Sequence, residues 1–95
     1  MRFQLREYRI EEGRLDEFVR EWRAGVVPLR VEAGFSVVGP WVERSASLFV
    51  WILGYDGDIE SAEAAYHASS ARTALSPNPG RLVAERRDVW LEAPL

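Results

Sequence analysis

"SLFVWILGYDG", residues 47–57, is apolar on both of its faces when it is read as a β-strand. Side chains of a strand alternate between two faces, and the two sets here are Leu48, Val50 and Ile52 on one side and Phe49, Trp51, Leu53 and Tyr55 on the other. A chain of 95 residues can cover only one of these faces with its own helices. The stretch therefore says more about architecture and assembly than about chemistry.

The composition predicts one globular domain spanning residues 1–95. Apolar residues make up 47% of the chain, which is too high a fraction for a disordered segment. The net charge is −3, and the twelve arginines are scattered among fifteen acidic residues, whereas nucleic-acid binding needs a concentrated basic surface. We therefore expect no nucleic-acid partner.

The start of the chain is charged, and nowhere does the sequence contain an apolar run of about eighteen residues, the length that a membrane helix needs. These features predict a cytoplasmic protein with no membrane contact. The sequence also contains neither cysteine nor lysine. It therefore offers no disulfide, no thiolate ligand and no amine for a Schiff base.

Six regular elements are predicted along the chain. A strand over 3–10 is followed by an amphipathic helix that begins at Arg14, is interrupted by Gly25 and Pro28, and resumes over 29–33. A hairpin over 35–55 follows, with a bulge or an edge position at Gly39. The remaining elements are listed in chain order: a second helix capped by Asp58 and ending near Ala71, a loop without helix at 76–80, and a last strand over 81–92.

The order β, α, β, β, α, β predicts an α+β fold, the ferredoxin-like βαββαβ arrangement, with an antiparallel sheet and two helices on one face. The other face of the sheet would leave three or four large apolar side chains in water, and burying each of them contributes roughly 1.5 to 3 kcal/mol. We therefore expect a homodimer through the sheet face, either packed sheet on sheet or closed into a dimeric α+β barrel. The alternative is a monomer in which Trp51 and Tyr55 lie at a partly solvated sheet edge.

Three segments together resemble a known family. They are "LREY" at 5–8 with "EEGRLDEFVREW" at 11–22, "FVWILGYDGD" at 49–58, and "AAYHASSARTALSPNPGRLV" at 64–83. In this order and at these separations they resemble the NIPSNAP family of the dimeric α+β barrel superfamily, over nearly the whole chain. The resemblance implies a ferredoxin-like protomer, a homodimer built through the sheets, and a cavity for a small molecule.

Two neighbouring residues of the second helix are the candidate catalytic residues. His67, the single histidine of the chain, would accept or donate a proton near neutral pH, and Tyr66 lies beside it as a second proton carrier. The alternative for His67 is a half-exposed histidine at the helix boundary that bonds only to solvent. One histidine, no cysteine and no HExxH spacing predict no metal site, and no cofactor motif is present.

The candidate ligand-binding residues are mainly aromatic side chains and arginines: Arg6, Tyr8, Trp22, Trp51, Tyr55 and Arg72. Aromatic rings with hydroxyl groups can line an apolar pocket and orient its ligand, but such rings are also common in plain cores. Arg6 could bind a carboxylate or phenolate, or pair with an acid on a neighbouring strand. Arg72 could bind a ligand or complement the end of the second helix.

Two functions follow from these residues. The first is a homodimer that binds a small apolar or aromatic metabolite and acts on it without a cofactor, as an oxygenase, isomerase or cyclase. The second is a non-enzymatic binding or assembly module, in which the aromatic residues form only the core and the dimer interface.

Overall fold

The computed structural model describes residues 1–94 and contains one antiparallel sheet. Its strands are β1 (Arg2–Ile10), β2 (Ser36–Glu43), β3 (Leu48–Tyr55) and β4 (Val83–Leu91). They lie in the order β2-β3-β1-β4, with every neighbouring pair antiparallel. In this order β1 and β3 are the two central strands, and β2 and β4 are the edge strands. This is the ferredoxin-like arrangement that the sequence predicts.

Helical segments form the second layer. They are α1 (Leu15–Glu21), a π-helical turn (Trp22–Val26), α2 (Val27–Glu32), α3 (Ile59–Ala68), α4 (Ser70–Thr73) and a 3₁₀ turn (Pro79–Leu82). None of the helices in residues 1–94 has the length and apolar character needed to cross a membrane.

The predicted interruption of the first helix is present as a widened turn. The chain stays helical from α1 through the π turn into α2, and Pro28, which has no N–H to donate, is the second residue of α2. Gly25 lies within the π turn, and a Cβ atom at this position would come within 2.7 Å of Cδ1 of Leu75. The helix and the segment after α4 therefore pack closely at this point.

The second helix is shorter than predicted. Asp58 caps α3 as expected, accepting hydrogen bonds from the amides of Glu60 and Ser61. The prediction that this helix runs to Ala71 is wrong, because Ser69 leaves the helical conformation and its hydroxyl caps the short helix α4 by accepting from the Arg72 amide. The break turns the chain toward β4.

Two further details of the loops and edges differ in part from expectation. The prediction of no helix at 76–80 is wrong for its last residues, since Pro79 starts a 3₁₀ turn and the Asn78 side chain accepts from the Gly80 amide. On β2 both readings of Gly39 hold: the register shifts between Val38 and Trp41, and β2 is an edge strand.

The helices cover the aromatic face of β3. Phe49, Trp51 and Leu53 are at most 1% exposed and pack with the inward side chains of α1, the π turn and α3. The opposite face, here called the bare sheet face, meets no helix in residues 1–94. Its apolar members are Phe3, Leu5, Val38, Trp41, Leu48, Val50, Ile52, Val89 and Leu91.

Candidate functional site

A cleft of about 380 Å³ opens between the helical layer and the sheet, beside β1 and β4. Seven of the candidate site residues line it: Arg6, Tyr8, Trp22, Trp51, Tyr66, His67 and Arg72. We call it the arginine–tryptophan cleft. Side chains from β1, β3, the π turn, α3 and α4 therefore meet in one place, because the fold puts the inner face of the sheet against these helices.

Tyr55, the eighth candidate residue, lies elsewhere. It ends β3 next to the edge strand β2, and its ring packs against Phe35 with 4.9 Å between the ring centroids. It lines a shallow groove on the outer side of Tyr66, beside Leu29 and Ala62. The structure places Tyr55 beside Tyr66 in this groove and not in the arginine–tryptophan cleft.

The floor of the cleft is aromatic. Trp51 and Trp22 meet edge to face with 5.3 Å between ring centroids, and Trp22 packs in the same manner on Phe49. Such edge-to-face pairs are favourable beyond their buried area. Trp22 is turned inward by the π turn and Trp51 by the central strand, so both indoles are almost completely buried.

A partly buried carboxylate holds two buried arginines at one side of the cleft. Arg6 and Arg30 are 4% and 2% exposed, and both donate to Glu63 of α3. Nη2 of Arg6 lies 2.8 Å from Oε2 of Glu63, while Nε of Arg6 donates to Gln4 at 2.8 Å. Arg6 therefore pairs with an acid, as the alternative to ligand binding predicts. Its main partner lies on a helix, however, and the acid of the neighbouring strand, Asp88, is 4.0 Å away.

Sequence reasoning missed Arg30. Its guanidinium carbon lies 3.8 Å from the ring centroid of Tyr66, and burial together with the charge of Arg6 lowers the pKa of Arg30 to about 10. The group is therefore still charged at neutral pH. Its position on the inner face of the helix could have been inferred from its spacing of four residues from Val26 and eight from Trp22. The predicted interruption at Gly25 and Pro28 made a continuous helical period across these residues unexpected.

Glu63 was also missed, although its signal is simple. It precedes Tyr66 by three residues and His67 by four, which are the spacings that place side chains on one face of a helix. A carboxylate on the same face as the two candidate catalytic residues is in reach of both.

His67 lies at the mouth of the cleft with half of its side chain exposed. Its ring packs edge to face on Tyr66 at 5.1 Å, and Nε2 lies 3.5 Å from Oε2 of Glu63. Partial burial and then the positive charges of Arg30 and Arg72 lower the pKa of His67 to about 4. The imidazole is therefore neutral at pH 7 and able to accept a proton.

Arg72 reaches the cleft from α4. Its Nη2 donates to Oδ1 of Asn78 at 3.2 Å, which ties it to the loop before the 3₁₀ turn. In the part of the chain that the structure describes, no three acidic or histidine side chains come close enough together to hold a metal ion. The functional groups that line the cleft include guanidinium, indole, phenol and neutral imidazole groups.

No family model matches the chain, and no curated protein matches it in sequence. Solved structures do match. An uncharacterized NIPSNAP domain protein from Burkholderia xenovorans superposes with a TM-score of 0.84 at 20% identity, over 98% of this chain and 94% of that one. A NIPSNAP family protein from Agrobacterium tumefaciens gives 0.84 at 18% identity, over 96% and 90%.

A third similar structure is a Nitrosomonas europaea protein provisionally described as an antibiotic biosynthesis monooxygenase. It superposes with a TM-score of 0.72 at 14% identity, over 98% of this chain and 89% of that one. At these identities the similarity concerns the backbone arrangement alone. The resemblance seen in the sequence is confirmed at that level: the chain has a NIPSNAP-like, ferredoxin-like α+β fold.

Proposed function

We propose that this protein is a homodimer that binds a small apolar or aromatic metabolite in the arginine–tryptophan cleft and acts on it without a cofactor. The observation that carries the proposal is the cleft itself. It has a volume of about 380 Å³, an aromatic floor and a few polar groups at one side, which is the usual composition of a small-molecule site.

The bare sheet face supports the homodimer. Trp41 is 53% exposed, Val38 42% and Leu91 40%, and these side chains continue into the half-buried apolar row of β3. Contiguous apolar surface of this kind is typical of a binding face. A second copy is the simplest partner because a two-fold axis lets the same patch serve both protomers.

His67 and Tyr66 are the proposed proton carriers. The Glu63 carboxylate next to Nε2 of His67 favours the tautomer with its proton on that nitrogen, which leaves the lone pair of Nδ1 free. In the proposed step a proton passes from the substrate to Nδ1. The substrate is left as a delocalised anion, which can be reprotonated in a new position, close a ring, or react with O₂ as co-substrate.

Binding can be tested by filling the cleft. Val26 lines it and is 8% exposed, whereas Val31 on α2 is 58% exposed and outside it. We expect aromatic metabolites that raise the Tm of the wild-type protein to raise that of Val31→Phe equally and to have no effect on Val26→Phe. Equal shifts in both variants would place binding outside the cleft.

Catalysis is tested with any substrate that such a screen identifies. The His67→Phe variant should bind that substrate and lose turnover, because it lacks the imidazole that carries the proton and keeps an aromatic ring at this position. Tyr66→Phe should also lose turnover, because it lacks the phenol hydroxyl. If both variants turned the substrate over at the wild-type rate, the proposed roles of His67 and Tyr66 would be wrong.

The bare sheet face also favours a second candidate function, a non-enzymatic assembly module. In that case the aromatic residues serve only core and interface. A dimer that binds none of the screened aromatic compounds, with identical results for the two Val→Phe variants, would support this function over the first.

A further inference from the structure

We propose that the ligand of the arginine–tryptophan cleft is an anion, namely a small aromatic carboxylate whose acidic group is bound by Arg72 together with Arg30 and Tyr66. The inference rests on the function proposed above and narrows its substrate class from an aromatic metabolite to an aromatic acid. Three sets of observations lead to it: unpartnered donors, an excess of positive charge, and an aromatic floor.

The unpartnered donors all belong to residues that line the cleft. Five buried polar atoms have no hydrogen-bond partner among residues 1–94, namely Nε1 of Trp22, Nε1 of Trp51, Nε of Arg30, Nε of Arg72 and Oη of Tyr66. An indole or guanidinium nitrogen can only donate, and a phenol hydroxyl can donate as well. These unmet donors favour a ligand with acceptor atoms over one that offers only donors.

The charges around the cleft select among such ligands. Four arginines line it: Arg6, Arg30, Arg72 and Arg86. The nearby carboxylates are Glu63, which Arg6 and Arg30 share, Asp88, which pairs with Arg86 at 2.9 Å, and Glu85, which pairs with Arg9 at 3.1 Å. The balance is positive, so an anionic acceptor is favoured over a neutral one.

Arg72 is the arginine best placed to bind the anion. In the described residues its side chain bonds to the neutral Asn78 amide, and no carboxylate lies within ion-pair distance of it. Arg6, by contrast, is occupied by Glu63 and Gln4. The sequence-based role of Arg6 as the carboxylate ligand therefore passes to Arg72.

Arg30 and Tyr66 complete the proposed anion site. The two side chains are stacked at 3.8 Å, and each keeps one free donor although both are more than nine-tenths buried. Arg30, Tyr66 and Arg72 line the same cleft, and the charges of Arg30 and Arg72 both act on His67 at its mouth. Their convergence gives an acidic group several donors at once.

The rest of the cleft suits an aromatic ring. Tyr8, Phe18, Val26 and the two indoles line it, and they offer apolar surface and ring edges. Edge-to-face contacts between rings are favourable. A planar acid can thus place its ring on the tryptophans and its carboxylate toward Arg72.

The test compares two probes of nearly equal shape, 2-naphthoate and its neutral amide, 2-naphthamide, by calorimetric titration at pH 7 and low salt. A charge-assisted hydrogen bond contributes about 1.5 to 3 kcal/mol, so we expect the acid to bind the wild-type protein at least about tenfold tighter than the amide. Arg72→Gln should weaken the acid about tenfold and leave the amide unchanged. Arg23→Gln, at an exposed position outside the cleft, should change neither affinity.

A second readout follows the histidine. An anion next to Arg30 and Arg72 offsets the charges that depress the pKa of His67, so naphthoate should raise that pKa in an NMR titration and naphthamide should not. Equal affinities for acid and amide in the wild-type protein would overturn the anion inference and leave the proposed binding function standing. If neither naphthoate nor naphthamide bound, both the anion inference and the proposed binding function would be overturned.

Discussion

The carboxylate of Glu63 lies 2.8 Å from the guanidinium of Arg6, although the two residues are 57 positions apart in the sequence. The contact joins α3 to the central strand β1, and the same carboxylate also accepts from Arg30 of α2. One acidic side chain thus holds two buried cations from different elements. Its removal has consequences for both stability and the cleft.

We expect Glu63→Gln to lower the free energy of unfolding by about 3 kcal/mol, because it leaves the buried charges of Arg6 and Arg30 without their carboxylate. Urea denaturation at pH 7 measures this loss. Glu60→Gln is the matched control on the same helix, since Glu60 is exposed and lies only near the helix start. Its loss should stay below about 1 kcal/mol. Equal losses for the two variants would mean that the two arginines are stable without Glu63.

The bare sheet face predicts the outcome of a matched pair of valine substitutions. Val38 lies on this face and is 42% exposed, while Val31 lies on α2 and is 58% exposed. In sedimentation experiments the wild-type protein and Val31→Glu should have about twice the chain mass of 10.8 kDa. Val38→Glu should sediment as a monomer, because a charge would be buried in the interface. A wild-type protein that is monomeric at micromolar concentration would contradict the dimer.

His67 gives the stability of the protein a defined pH dependence. Its folded-state pKa of about 4 lies below its ordinary value of 6.5, so between these two pH values the unfolded chain binds a proton that the folded chain does not. Stability should therefore fall as the pH drops from 6.5 toward 4, and the contribution of His67 is constant above that window. The wild-type protein should lose more stability between pH 7 and pH 5 than His67→Gln does.

The same shift can be observed directly, because the chain has one histidine and its ring protons give an unambiguous NMR titration. The midpoint should lie near pH 4. A midpoint near 6.5 would mean that neither partial burial nor the charges of Arg30 and Arg72 lower the pKa of the ring.

Asp58 provides a test that is separate from the cleft. Its side chain accepts hydrogen bonds from the amides of Glu60 and Ser61. The Ser61 hydroxyl also donates to Oδ2 of Asp58, at 2.8 Å. Asp58→Ala should cost about 1 kcal/mol of stability through loss of the N-cap, and ligand binding by the remaining folded protein should not change. Asp56→Ala, in the exposed turn just before, serves as control.

The fold could be predicted from the sequence because its signals are local and repeated. The short apolar run of β3, the turn between Glu43 and Leu48, and the Asp58 cap each specify one element, and the order of elements leaves few topologies. The helix ends were harder: Ser69 breaks the second helix through a hydroxyl bond that competes with the backbone, and residue patterns alone do not show which bond prevails.

The cleft could be predicted only in part. Side-chain type and strand parity single out Arg6, Tyr8 and Trp51, which share the inner face. Tyr55 has the same parity and still lies outside the cleft, because its position at the strand end places it in the separate groove beside Leu29 and Ala62. The roles of Arg30 and Glu63 could not be predicted, because each has the residue type of an ordinary helix surface and becomes part of the cleft only when the other elements pack on it.

The π turn at Trp22–Val26 also determines which way the side chains after it point. Trp22, Val26 and Arg30 follow one another at intervals of four residues, and in a regular helix of 3.6 residues per turn such a series rotates by about 40° at each step. The wider turn cancels much of this drift and keeps all three side chains on one wall. Deleting a single residue there would turn Arg30 by about 100° away from its carboxylate. The number of residues in this helix is therefore under as strong a constraint as their identity.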